Sequence, residues 1–171
     1  MTQQPNQPIV ILGIGCTLFA DQGFGVHLIQ ILEDRYSFPE NVQLVDGGLV
    51  GVAMVGVIAR AAHLIVVDAV CNDGRPGDIY RFEGPGVLER LTCKNNVQQV
   101  EFLEALAHCQ ALDHPPRTVL LGIEPEDTQG VSCTLTPLLQ GKTEEMAARV
   151  LAELDALEVS YQPKEQEKPC A

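Results

Sequence analysis

Residues 8–16 read Pro8-Ile9-Val10-Ile11-Leu12-Gly13-Ile14-Gly15-Cys16. Ile9 to Leu12 are apolar at every position, not at alternate ones, and three of the four are β-branched. A strand of this kind is covered on both faces, as in a parallel sheet between two helical layers. It is expected to be the central strand. Downstream, Val26, Leu28, Ile29, Ile31 and Leu32 recur at helical spacing after Asp21 and stop at Ser37-Phe38-Pro39. This predicts a helix with Asp21 as its N-cap.

The alternation continues to the end of the chain. Residues 42–45 predict a strand closed by the turn Asp46-Gly47-Gly48, and residues 52–62 an Ala-rich apolar helix. Residues 63–68 predict a third buried strand, with Asp68 at its carboxyl end. After a Gly/Pro loop at 72–77, the alternation at 78–82 predicts an edge strand. A helix over 97–112, a strand over 118–123 and an amphipathic helix over 143–157 follow. The fold class expected is a single three-layer α/β/α domain, phosphorylase/hydrolase-like, with a mostly parallel twisted sheet of about five strands and helices on both faces. The domain is expected to span residues 9–161, between a polar leader at 1–8 and a polar tail at 162–171 that is ordered only where something docks it.

The 171 residues suit one domain with a full core, and 46% hydrophobic against 20% charged residues is the balance of a folded protein. Eleven Lys and Arg face 23 Asp and Glu, a formal net charge of -12. That charge argues against nucleic acid and anionic membrane surfaces, whose phosphates are bound through Lys and Arg. With no apolar window of spanning length and no secretory pattern at the start, the expected location is the cytoplasm. The six cysteines, at 16, 71, 93, 109, 133 and 170, form no C-x-x-C pair and are expected to be free thiols.

In an open α/β sheet, ligands bind beyond the carboxyl ends of the strands. Those ends deliver Gly13-Ile14-Gly15-Cys16, Asp46-Gly47-Gly48, Asp68-Ala69-Val70-Cys71 and Glu124-Pro125-Glu126. Gly13-x-Gly15 after a strand, with Asp46 ending the next, permits a dinucleotide reading, but Leu18 occupies the third fingerprint position. The second pattern is acidic: Asp21, Asp46 and Asp68 gather at one sheet edge, a set suited to a divalent metal or to general acid-base work. Asp21 also suits a cap and Asp46 a turn. Asp68, closing a run as apolar as Leu64 to Val67, has to reach a cleft or a partner. None of His27, His63, His108 and His114 stands in a nucleophile arrangement.

The segment from Ile11 to Val26, with Gly13, Gly15, Asp21, Gly23 and Gly25, resembles the opening of the nickel-iron hydrogenase maturation endopeptidases, L-G-x-G-N-x-L-x-x-D-E-G-x-G. The resemblance continues through Asp46-Gly47-Gly48-x-x-Gly51, Val66-Val67-Asp68-Ala69-Val70, Gly74-x-Pro76-Gly77, Gly122-Ile123-Glu124-Pro125-Glu126 and Leu135-Thr136-Pro137. It implies a cytoplasmic protein that recognises the nickel-loaded precursor of a hydrogenase large subunit and removes its C-terminal extension, with a monomer as the expected state. The family's metal-engaging acid, acid and histidine fall on Gln22, Asp68 and, by a looser alignment, Asn95. Gln22 replaces a Glu and Asn95 a His, while Cys16 and Leu49 replace an Asn and a Thr.

The resemblance makes Asp68 the catalytic residue. Asp21, Asp46, Gly47 and Gly48 are expected in supporting or substrate-binding positions, as are Cys71, three residues past Asp68, and Cys93, near Asn95, which also suit small, partly buried hydrophobes. Neutral amides are weaker partners for a divalent ion than a carboxylate or an imidazole. Nickel is therefore expected on the substrate precursor, without tight binding to the free protein, unless Cys71 or Cys93 supplies a thiolate. The alternative is a non-cleaving relative that binds the precursor as a chaperone or checkpoint.

Overall fold

A computed structural model of the chain describes residues 7–48, 54–84, 87, 97–110 and 115–164. Five strands form one sheet: β1 (Ile9–Gly13), β3 (Val42–Asp46), β4 (His63–Ala69), β5 (Ile79–Glu83) and β6 (Arg117–Ile123), in the order β3-β1-β4-β6-β5. β3, β1, β4 and β6 run parallel, and β5 joins β6 antiparallel at the edge. β1 is buried along its whole length, as its unbroken apolar run requires. The middle strand, however, is β4, not β1. Both runs are equally apolar, so composition does not rank them; the order is set by the connections.

Period-two alternation splits the side chains between two cores. Ile9, Ile11, Ile65, Val67, Leu121 and Ile123 face α1 (Phe24–Arg35), packing on Phe24, Leu28 and Leu32. They share that core with the C-terminal helix (Thr143–Ala156), through Met146, Val150 and Leu154. On the opposite face, Val10, Leu12, Leu64, Val66 and Leu120 meet Met54 and Ile58 of α2 (Met54–Ile58), and Phe102 and Leu106 of α3 (Val97–Gln110). Each fully buried Leu, Ile or Phe contributes about 1.5–3 kcal/mol.

The connection from β1 to β3 carries α1 on one face, and that from β3 to β4 carries α2 on the other. The chain leaves β1 and β4 in opposite directions, so the crevice outside their carboxyl ends is the switch point of the sheet, where ligands of such sheets bind. One further turn of helix, α4 (Pro137–Gln140), precedes the C-terminal helix α5 (Thr143–Ala156).

One helix is shorter than expected, and the start of the tail meets the condition set for its order. The helix expected over 52–62 ends at Ile58 and tightens into a turn, with Arg60 N–H donating to Val57 O and Ala61 N–H to Ile58 O. The start of the expected tail is docked: Gln162–Pro163 (β7) pairs antiparallel with Tyr36–Ser37 (β2), and Lys164 N–H donates to Arg35 O at 2.7 Å. Tyr161 closes edge-on against Tyr36 there, ring centroids 5.8 Å apart. A two-residue pairing has no periodicity that a sequence could display. Residues 1–6 of the expected leader at 1–8, Leu49, Gly51, His114 and residues 165–171 lie outside the described residues.

The start of α1 lies directly on the sheet. A Cβ on Gly25 would fall 2.2 Å from the Val67 carbonyl oxygen and 2.5 Å from that of Ile14, both rigid backbone. Gly25→Ala is therefore expected to lose at least about 3 kcal/mol of stability. Gly56, in α2 with nothing within 4 Å of its would-be Cβ, is the control. Gly56→Ala should gain about 0.5–1 kcal/mol from helix propensity. Urea unfolding of both variants measures this.

Candidate functional site

The loop after β1 does not begin α1 with an aspartate cap. A 3-10 turn, Ala20–Gly23, runs directly into the helix, and the N-cap is Gly23, with no side-chain cap hydrogen bond. Gly15 permits this tight return, at φ +139° and with its would-be Cβ 1.9 Å from the Gln22 carbonyl oxygen. Asp21 is instead turned inward and fully buried. Its Oδ2 accepts from Glu126 N–H (3.0 Å), Asp127 N–H (2.9 Å) and Thr136 Oγ1 (3.1 Å), and its Oδ1 from Thr136 N–H (2.8 Å). A buried carboxylate is tolerated only with such a set of donors. Asp21 thus ties the β1 loop to the two segments after β6, across more than a hundred residues of sequence.

Gln22 reinforces the same tie, since its Nε2 donates to the Thr128 carbonyl at 2.5 Å. The neighbouring Asp127 accepts from Gln129 and Gly130 N–H at 2.9 and 2.8 Å, and these backbone donors hold its carboxyl below the usual range. The 3-10 turn packs on β4, where Asp68 is buried at the carboxyl end, in register with Gly122 of β6. Strand alternation places Asp68 on the α2/α3 side with Leu64 and Val66. Two of the expected residues thus lie at the carboxyl ends of β1 and β4, Gln22 on the 3-10 turn that packs on β4 and Asp68 at the end of β4 itself. Asn95 and Cys93 lie outside the described residues.

Beyond Asp68 the chain is held by β6. Val70 N–H donates to Ile123 O at 2.9 Å, and Asn72 N–H to Glu124 Oε2 at 2.7 Å. Tyr80 Oη–H donates to the same Glu124 oxygen at 3.0 Å. Burial, then the Glu124 carboxylate, raises the Tyr80 hydroxyl above its ordinary value. Glu124 is buried and is a residue the sequence pattern did not single out as a site member. Its signals in the sequence were an acid ending an apolar strand, as at Asp68, and its place in the motif Gly122-Ile123-Glu124-Pro125-Glu126.

Asp46 stands on the far side of β1, where its Oδ1 accepts from Gly48 N–H at 2.9 Å while Gly47 N–H donates to Gly13 O at 2.8 Å. Both Gly47 and Gly48 thus serve the turn. Cys71 is exposed on the loop after β4, and Cys16 is half-buried on the loop after β1. His63 is at the opposite edge of the sheet, facing Gln7. His27, on α1, has its Nε2 buried with no hydrogen-bond partner among the described residues.

Among the described residues, no three His, Cys, Asp or Glu side chains converge as a metal-binding group. Gln22 and Asp68 together offer a single carboxylate, a poor fit for a resident nickel ion. The dinucleotide reading is overturned, because Phe24, Gly25 and Val26 at the start of α1 are buried against the sheet. The close approach that the glycines permit is to the protein's own backbone, leaving no room for a pyrophosphate at that helix end.

A family model described as "Hydrogenase maturation protease" matches residues 26–153. The hydrogenase expression/formation protein HupD of Thiocapsa roseopersicina is 35% identical over 150 residues, covering 85% of this chain and 68% of that protein. The hydrogenase 2 maturation protease of Escherichia coli is 30% identical over 159 residues, covering 92% and 96%. The solved structure of the hydrogenase maturating endopeptidase HybD from E. coli superposes with a TM-score of 0.87 at 29% identity, covering 94% of this chain and 99% of that one.

Two outcomes follow from this geometry. Asp21→Asn keeps the shape but turns an amide N–H₂ toward donors, so it should lose about 2–4 kcal/mol in urea unfolding. Burial lowers the pKa of His27, and burial and Arg117 lower that of His63. The unfolded imidazoles therefore take up protons first, so this stability is present above about pH 6.5 and is lost as pH falls through the lowered folded values. His27→Gln should reduce the slope of unfolding free energy against pH between about 5 and 7.

Proposed function

Because the chain belongs to the hydrogenase maturation protease family, we propose that it processes the nickel-loaded precursor of a nickel-iron hydrogenase large subunit, removing the C-terminal extension. The observation that carries this is a family match covering residues 26–153, with Asp68 inside it at the carboxyl end of the middle strand. Nickel belongs to the substrate here, held by the precursor's own ligands. The chain acts as a monomer in the cytoplasm, where its thiols stay reduced.

In this reading Asp68 is the catalytic carboxylate. Held in the β1/β4 crevice, it accepts the proton of the attacking water at its carboxylate oxygens and returns it to the leaving amine. Gln22 orients the scissile segment through its amide, anchored to the Thr128 carbonyl. Asp21 is a positioning residue, since it holds the loops on either side of Gln22. Cys71, exposed on the loop after Asp68, is available to the substrate's metal-bearing end, and the family alignment alone assigns Asn95 to that end, with Cys93 near it in sequence.

A second reading is favoured by one observation: Gln22 stands where the family has a carboxylate, so the crevice offers one acid where the family pattern has two. In that case the protein binds the precursor as a chaperone or checkpoint without cutting it.

Mass spectrometry of the nickel-loaded precursor, before and after incubation, separates the two. Cleavage appears as a discrete Asp68-dependent loss of a C-terminal peptide, abolished in Asp68→Asn with the fold intact. An unchanged mass with a stable complex selects the binding role. Gln22→Glu should tighten divalent-metal binding about tenfold by calorimetry. Unchanged affinity would remove Gln22 from the metal-facing surface.

A further inference from the structure

Among the described residues, four large hydrophobic side chains are exposed: Leu18 (58%), Phe19 (39%), Val131 (85%) and Leu138 (39%). They are not scattered. Phe19 forms an isolated parallel bridge with Ser132, Ser132 N–H donates to Leu18 O at 3.1 Å, and Ala20 N–H donates to Ser132 O at 2.8 Å. Leu18 and Val131 are therefore neighbours on two joined segments, with Phe19 next to Leu18 in the chain. Leu138 is on α4, whose N-cap Thr136 is held by Asp21. All four sit on segments that the Asp21 carboxylate ties together, beside Gln22. Contiguous exposed apolar groups at a site mark a surface for another molecule.

Leu138 lies beside Gly77 near Lys142, but the charge around Leu18, Phe19 and Val131 is one-sided. Residues 13–25 and 124–136 contain Asp21, Glu124, Glu126 and Asp127 but no Lys or Arg. Of these, Asp21 and Glu124 are buried, whereas Glu126 is exposed and Asp127 partly so. Backbone donors keep Asp127 ionised. An apolar patch with a carboxylate rim, on a chain of net charge -12, complements apolar side chains next to cationic ones.

We propose that Leu18, Phe19 and Val131 form the docking surface for an extended segment of the hydrogenase precursor that carries apolar side chains flanked by lysine or arginine. The assignment rests on the maturation reading above and adds the place and chemistry of recognition. Docked there, the segment lies beside Gln22 and leads toward the crevice that holds Asp68. The surface is rigid because Asp21 fixes both of its strands, so little ordering accompanies binding.

The test is a titration of the nickel-loaded precursor into the full chain, comparing wild type with the double variant Leu18→Ser/Val131→Ser and with Glu126→Gln, at low and high salt. The double variant should weaken binding at least about tenfold with an unchanged melting temperature. Glu126→Gln should weaken it about two- to fivefold at low salt, and less at high salt as screening removes the attraction. Equal Kd for wild type and double variant would overturn the docking surface while leaving the maturation reading in place. A concentration-dependent dimer that the double variant abolishes would also overturn it, assigning the patch to a second copy. A wild-type chain that does not bind the precursor would fail both readings.

Discussion

Everything at the carboxyl edge of the sheet depends on one carboxylate taken out of water. Removing a charge from solvent costs several kcal/mol unless donors surround it. Asp21 has donors from the backbone of Glu126, Asp127 and Thr136 and from the Thr136 hydroxyl. Because these lie in two segments far from Asp21 in sequence, satisfying the charge also determines where those segments go. The Phe19–Ser132 bridge, the start of α4 and the Gln22–Thr128 contact all follow from that placement.

A second buried carboxylate repeats the device on the other side of β6. Glu124 gathers the Asn72 amide and the Tyr80 hydroxyl, and so constrains the chain as it leaves β4 past Asp68. The two acids are structural, yet they frame the crevice from both sides. Rigid support of this kind is what a site needs if a peptide is to be presented to a single acid, because misplacement by an ångström weakens proton transfer.

The topology supplies the crevice itself. β1 and β4 are paired along their length, but their onward connections carry helices to opposite faces, so the region outside their carboxyl ends is the switch point of the sheet. Gly15 and Gly25 bring the β1 loop down onto the strand ends, where any side chain would strike backbone. The glycines that suggest a dinucleotide fingerprint in the sequence, Gly13 and Gly15, are likewise closely approached from within the protein, by the carbonyl oxygens of Gly25 and Gln22.

The buried strands, the edge strand and the layered α/β class were legible in residues 9–13, 42–46, 63–69, 79–83 and 117–123, because hydrophobic periodicity is a local property written by the core; that the edge strand runs antiparallel was not. Asp68 was legible for the same reason: an acid ending such a run is conspicuous. Tertiary structure alone decided that β4, not β1, lies in the middle, because equal hydrophobicity does not encode neighbour order. It decided that Asp21 is a buried tie, not a helix cap, since an Asp before an amphipathic run looks alike in both roles and only the distant Thr136 and Asp127 amides distinguish them. It also brought Leu18, Phe19 and Val131 together, because long-range hydrogen bonds, and not sequence spacing, place those segments side by side.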